Sequence, residues 1–285
     1  MAFLVAPVFN SITTEPVSIP INETFRLLSG NDQLYTLCYR SLRDYMNENK
    51  HFFEDRVSPE SLYICAEYPD LKVTEDRELF EGIENKLNLS SSSGVCSIPY
   101  IIIIEGQKYG ITYLKRSVKG KKFTFEGETR AIFEKLLSGE GSFPKLAYRR
   151  YLLSLEKGSP EDQLLDMWIA LESLFVPDGK KGEITYKVRL RMAYFFTSDY
   201  QEREWLSEFI KASYNHRSEI VHSGKALGTE LKEEVRILRR MARATLLNMY
   251  ANQMTIQELK NRLDKAILSG KSYSELYPTD YFTKY

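Results

Sequence analysis

The stretch LLSGEGSFP at 136–144 divides the chain into two differently patterned halves. Beyond it every segment repeats its apolar residues at helical spacing, and such a stripe must be buried against other helices or a sheet. PKLAYRRYLLSLEKG ends at Gly158. SPEDQLLDMWIALESLF opens with Ser159 as a cap and Pro160 at the first helical position, where a missing N–H costs nothing. EITYKVRLRMAYFF follows, and then SDYQEREWLSEFIKASYNHRSEIVHSG, with Ser198 and Gln201 at capping-box spacing and Gly224 past its end. TELKEEVRILRRMARATLLNMYAN turns Leu231, Val235, Leu238, Ala242 and Leu246 to one side, and TIQELKNRLDKAIL has a capping box in Thr255 and Glu258. Five or six such helices with short connections predict an antiparallel up-and-down bundle.

Upstream, helix and strand signals alternate. AFLVAPVF and VSIPI are β-prone, SLYICAEY alternates as a strand does, and SIPYIIIIEGQKYGITYLKR reads as two β-branched and aromatic runs joined by a glycine turn, a hairpin. NDQLYTLCYRSLRDYM, capped by Asn31, and TEDRELFEGIENKL read as helices. NLSSSSG at 88–94 reads as a flexible loop and VKGKK at 118–122 as the turn at the end of a hairpin. The expected fold class is α+β: a mixed α/β region over 1–140, a helical bundle over 144–270, and a tyrosine-rich tail over 271–285 that packs on the bundle or on a second chain.

The formal net charge is zero, so no global field draws the chain to a polyanion. It divides unevenly, at −4 over 1–143 and +4 over the rest, so the helical half is mildly basic. Cys38, Cys65 and Cys96 are scattered, without the spacing of a disulfide framework or a zinc site, and no metal or other cofactor is expected. MAFLVAPVFN lacks the charged start and apolar core of a signal peptide, and YIIII is too short to span a bilayer, which points to a cytoplasmic protein without a membrane partner.

The segment most suggestive of chemistry is YNHRSEIVHSG, 214–224, with Arg217 and His222 five positions apart. At 3.6 residues per turn the two lie about 140° apart around a helix. Asn215, Ser218 and His222 fall at i, i+3 and i+7, a polar stripe on a helix expected to bury Trp205, Phe209 and Ile220. An arginine and a histidine closing a helix are equally what the helix dipole favours there, with no chemistry implied.

Three blocks taken together, ALESLF at 170–175, EITYKVRLRMAYFF at 183–196 and YNHRSEIVHSG, resemble an HEPN domain of the Apea-like group over residues 144–255. The resemblance implies a helical bundle in which Arg217 and His222 line a cleft between two HEPN domains of a homodimer and cleave RNA. It implies a metal-independent endoribonuclease, a toxin-like effector of bacterial antiphage defence. Many family nucleases carry Asn, Asp or His after the arginine, where this chain has Ser218, and some members keep the fold as a binding module for RNA, a nucleotide or a protein. The residue types suit the chemistry: a histidine near neutral pKa can move the 2′-hydroxyl proton, and a guanidinium matches phosphate oxygens.

Other candidates have two readings each. Glu172 shares a stripe with Leu165 and Trp168, so its carboxylate needs a partner: Lys187 or Arg191 on the next helix, or Arg217, which it would orient. Arg236, Arg239, Arg240 and Arg243 form a stripe opposite the apolar face of their helix, either solvated and paired with acids such as Glu233 or a track for RNA phosphates. His51 and His216 have no partner at helical spacing and read as surface residues.

Overall fold

The computed structural model describes residues 2–30, 60–67, 73–106, 108–141, 143–177, 183–223 and 230–278, with isolated positions between 35 and 58. Of the helix read from NDQLYTLCYRSLRDYM, the described positions Tyr35, Thr36, Arg40 and Arg43 are helical; its Asn31 cap and its other residues, His51 and Gly224 lie outside the described residues. The chain is α+β and forms two compact units, 1–138 and 139–285.

In the first unit, β1 (Ala2–Val8), β3 (Val17–Pro20), β4 (Arg26–Ser29), β5 (Leu62–Glu67), β6 (Tyr100–Glu105) and β7 (Lys108–Tyr113) form one sheet. Its order is β3-β4-β5-β1-β6-β7, with every neighbouring pair antiparallel. The expected hairpin is β6–β7, in register from Tyr100↔Tyr113 to Glu105↔Lys108. The alternation along β1 and β5 separates two apolar faces. Leu4, Ala6, Val8, Leu62 and Ile64 meet Phe80, Ile83 and Leu87 of α1 (Val73–Ser90) and Phe133 of α2 (Gly127–Leu137), while Val5, Tyr63 and Cys65 join Ile102 and Ile104 on the other face.

Two loop expectations are corrected. Asn88–Ser90 close α1 rather than starting a flexible loop, because the buried Asn88 amide donates to Cys96 O at 2.9 Å and accepts from Cys96 N at 2.8 Å. VKGKK does not end a hairpin; it leads into β8 (Phe123–Thr124), which pairs in parallel with β2 (Ser11–Ile12). Beneath this region Glu84 is buried, accepts the Ile98 N–H at 2.7 Å and pairs with Lys115. Burial pushes its carboxyl above the usual range, and Lys115 opposes that shift.

The second unit is helical: α3 (Lys145–Glu156), α4 (Pro160–Phe175), α5 (Ile184–Phe196), α6 (Tyr200–Ser223), α7 (Glu230–Ala251), α8 (Ile256–Ser269) and α9 (Tyr273–Leu276). The most apolar of them, α4, is the central helix and touches α3, α5, α6, α7 and α8, with Trp168, Leu171, Leu174 and Phe175 fully buried. The expected inward row of α7, Leu231 to Leu246, is buried. Ser159 accepts the Asp162 N–H and Thr255 forms its capping box with Glu258, as read from the sequence.

The start of α6 differs from expectation. Asp199, not Ser198, caps it by accepting the Glu202 N–H at 2.8 Å, and Thr197 Oγ1 in turn accepts the Asp199 N–H at 3.1 Å. The start of the tail takes the first of its two expected places, on the bundle. Tyr273 is buried, packs on Phe195 at 4.8 Å between ring centroids and donates to Asn248 Oδ1 at 3.3 Å, so α9 belongs to the bundle. At the other end the unit begins at Gly139 rather than at 144: Tyr250 donates its hydroxyl to Gly139 O at 2.7 Å and its ring stacks on Phe143. Among the described residues no helix is long and apolar enough to cross a membrane.

Candidate functional site

Helix α6 presents two stripes. Leu206, Ile210 and Ser213 are buried at i, i+4 and i+7, and Arg217 and Ile220, half-buried, continue the same row at i+11 and i+14. Trp205, Glu208, Ala212, Asn215, Glu219 and His222 form the exposed row. Of the expected buried face Trp205, Phe209 and Ile220, Ile220 lies on the inward row, whereas Trp205 and Phe209 are off it. Trp205 is 52% exposed and stacks flat on half-buried Phe209 at 5.5 Å, while the smaller Leu206 and Ser213 make the contact with the bundle. Aromatic bulk drew the reading to the wrong side of the helix.

The inward row is fixed by a hydrogen bond. Trp168 Nε1 on α4 donates to Ser213 Oγ at 3.0 Å, both side chains being buried, and the Tyr214 ring meets the indole edge-on at 5.0 Å. One turn further along each helix come Glu172 and Arg217. The Arg217 guanidinium lies 5.6 Å from the centroid of the Tyr214 ring, and it is the cation that acts on Glu172. Burial pushes the Glu172 carboxyl above its ordinary range and Arg217 draws it partly back, while Glu172 Oε1 is buried with no hydrogen-bond partner.

The alternative partners of Glu172 do not take this role. Arg191 donates to Phe175 O at 2.6 Å and through Nε and a terminal nitrogen to Asp264 Oδ1 at 3.1 and 2.9 Å, and Lys187 does not contribute to the shift on Glu172. Of the other sequence candidates, Ser218 is half-buried beside Arg217, and Asn215 and His222 are exposed. Arg217 and His222 thus sit on one stretch of helix but on different rows.

The four arginines of α7 do not form one exposed track. Arg236 and Arg240 are exposed, and Arg236 pairs with Glu233. Arg239 and Arg243 turn inward: Arg239 donates to Ser154 O and to Ser154 Oγ on α3, and Arg243 is buried near Tyr151. Burial lowers the pKa of Arg239 and raises that of the Tyr151 hydroxyl, which the two guanidiniums oppose. The stripe is split because positions 239 and 243 share the side of α7 that faces α3, one turn apart.

His216, read as an unpartnered surface residue, is corrected as well. Its Nδ1 lies 2.8 Å from Glu234 Oε2 on α7, and Glu234 Oε1 is buried without a partner. No spacing signal could have found this pair, because the partners are on different helices. Among the described residues no three His, Cys, Asp or Glu side chains converge as metal ligands would. No family model, no curated protein and no solved structure matches this chain.

Proposed function

We propose that the helical unit is a metal-independent endoribonuclease of the HEPN type, acting as a homodimer in the cytoplasm as a toxin-like effector of antiphage defence. The observation that carries this reading is the placement of Arg217. Its guanidinium, on the inward row of α6 near the half-buried Glu172, has its hydrogen-bond donors uncommitted to any described side chain. Such a fork suits two oxygens of one phosphate.

In the reaction the 2′-hydroxyl oxygen of RNA attacks the adjacent phosphorus, and the bond from phosphorus to the 5′ oxygen of the next nucleotide breaks. His222 takes part in the proton transfers, off the 2′-hydroxyl or onto the leaving oxygen, and Arg217 balances the charge that grows on the phosphoryl oxygens. The products are a 2′,3′-cyclic phosphate and a 5′-hydroxyl. DNA, lacking the 2′-hydroxyl, is inert.

The dimer supplies what one chain lacks. Arg217 and His222 stand about 140° apart on α6, so one pair grips a phosphate poorly. A two-fold axis near Asn215 and Ser218 brings two pairs across one groove, with exposed Trp205 and Val221 offering apolar surface for the contact. Arg236 and Arg240 flank the groove as phosphate contacts.

A non-catalytic HEPN module that binds RNA, a nucleotide or a protein is the second reading. Ser218 and the outward placement of His222 favour it. Purified protein incubated with total RNA in EDTA separates the two. The nuclease reading expects cleavage by wild type and a loss of roughly 10²–10³-fold or more in His222→Ala and in Arg217→Ala. Cleavage that stops on chelation and returns with Mg²⁺ refutes the mechanism, and binding without cleavage establishes the second reading.

A further inference from the structure

We propose that His216 is a second proton-transfer residue of this site, the base that takes the 2′-hydroxyl proton, and that Glu234 is its positioning residue. This rests on the nuclease reading and deepens it. Cleavage by 2′-hydroxyl attack needs two proton movements, one off the attacking oxygen and one onto the leaving oxygen. His222 accounts for one of them.

The register of α6 brings His216 to the arginine. It precedes Arg217, about 100° to one side of it and about 1.5 Å along the axis, whereas His222 lies about 140° to the other side and about 7.5 Å along. Attack and departure at phosphorus are roughly in line, so the base and the acid belong on opposite sides of the phosphoryl group. The two histidines flank the residue that would hold that group.

The contact with α7 then settles the state of the ring. His216 Nδ1 lies 2.8 Å from Glu234 Oε2. A carboxylate can only accept, so Nδ1 carries a proton and Nε2, across the ring, presents its lone pair. Nε2 has no hydrogen-bond partner among the described residues. The Glu234 side chain is 10% exposed and that of His216 41%, so the carboxylate is shielded while the imidazole reaches solvent.

Holding two helices together does not call for this pair. Glu234 Oε1 is buried without a partner, and His216 is the one described residue bonded to Glu234, so a carboxylate is desolvated for a single bond. Apolar residues commonly serve stability as well as such a pair or better. A shielded carboxylate on Nδ1 is instead what a base requires, since it fixes the tautomer and stabilises the imidazolium formed when Nε2 takes a proton.

In the step itself, His216 Nε2 takes the 2′-hydroxyl proton as that oxygen bonds to phosphorus. The bond from phosphorus to the 5′ oxygen breaks, its electron pair stays on the oxygen, and protonated His222 supplies the proton there. His216 ends protonated and His222 neutral, and exchange with water restores both.

The test uses the full chain, an RNA oligonucleotide that wild type cleaves, and the same oligonucleotide with sulfur in place of the 5′ oxygen at the cleaved bond. A thiol, with a pKa of about 8.5, leaves without being protonated. His216→Asn keeps an N–H where Nδ1 stands, so it should melt close to wild type. Its kcat should fall about 10²-fold or more on both substrates, because each still needs the 2′-hydroxyl proton removed. His222→Ala should lose activity on the oxygen substrate and recover most of it on the sulfur one. Glu234→Gln should lower kcat about 10-fold or more with KM little changed, since an amide can also hold the wrong tautomer, and should add no loss in a His216→Asn background.

Cleavage by His216→Asn at the wild-type rate overturns the proposal. So does its recovery on the sulfur substrate, which would make His216 the acid, and so does a melting temperature several degrees below wild type, which would mark the pair as a tie between helices. Equal losses from Glu234→Gln with and without His216 show that Glu234 does not act through it. Wild-type protein inert on RNA removes the nuclease reading first, and is recognised from wild type alone.

Discussion

Replacing Ser213 by Ala tests the bond that sets α6 against α4. The indole of Trp168 is a donor only, and its Nε1 donates to Ser213 Oγ at 3.0 Å in a fully buried site closed on one side by the edge of Tyr214. Alanine removes the acceptor and leaves too small a gap for water, so the N–H stays buried and unpaired. Such an orphan costs about 1–3 kcal/mol. For a unit of this size each kcal/mol lowers the midpoint by about 2–4 °C, so the helical unit should melt roughly 2 to 12 °C lower. Thermal unfolding followed by circular dichroism at 222 nm reads this directly. A second comparison guards against a general packing effect: in a Trp168→Phe background, which has no N–H to orphan, Ser213→Ala should cost well under half as much. A Ser213→Ala protein that melts within about 1 °C of wild type would refute the claim that this bond holds the two helices in register.

Three further outcomes follow from other sites. The Glu84 carboxyl has its pKa raised by burial, so its contribution to stability is fully present below the unfolded-state pKa and fades as pH rises through the folded one; Glu84→Gln, which still accepts the Ile98 N–H, should be as stable as wild type or more so at high pH, whereas Glu84→Leu should melt lower at every pH because that N–H is left unpaired. Arg236→Gln and Arg240→Gln should each reduce the slope of log Kd for RNA against log salt by about 1, while Arg239→Gln should leave the slope unchanged and lower the melting temperature through the lost contacts with Ser154 on α3. Tyr273→Ala should destabilise the bundle by about 3–5 kcal/mol, as buried aromatic deletions do, measurable by urea unfolding; a loss under about 1 kcal/mol would mean that α9 is only laid against the surface.

The helices of the second unit were legible because their signals are local. Ser159, Thr255 and Glu258 cap within three residues of themselves, and the apolar row of α7 repeats along one element. The hairpin β6–β7 was legible for the same reason. What failed depended on partners distant in sequence. Asn88 looks like loop until Cys96 supplies both its bonds, and the pairing of β2 with β8 joins segments more than a hundred residues apart. In the candidate site, spacing singled out Arg217 and a carboxylate on an apolar stripe singled out Glu172, and the structure places both on the facing sides of α4 and α6 one turn beyond the Trp168–Ser213 bond. The inward turn of Arg239 and Arg243 was missed, because a guanidinium on a long aliphatic stem can be buried against backbone carbonyls that no pattern reveals. The register of α6 was missed because exposed Trp205 outweighs buried Ser213 on any hydropathy count, although the hydroxyl is the residue bonded inside.

The glycines at 139 and 141, in the stretch that marks the boundary between the two halves, are there for want of room. A side-chain carbon on Gly141 would fall 2.1 Å from the Tyr250 carbonyl oxygen, and one on Gly139 would fall 2.8 Å from the Tyr250 ring. The connecting segment is therefore clasped to the last turns of α7, with Phe143 stacked on the same tyrosine at 4.7 Å. For anyone cutting the gene to study the helical unit alone, the first codon matters. A fragment begun at Pro144 strips Tyr250 of its hydroxyl acceptor and of its ring partner, whereas one begun at Ser138 keeps both, and a protease that favours glycine-rich joints should spare 139–143 in the intact chain.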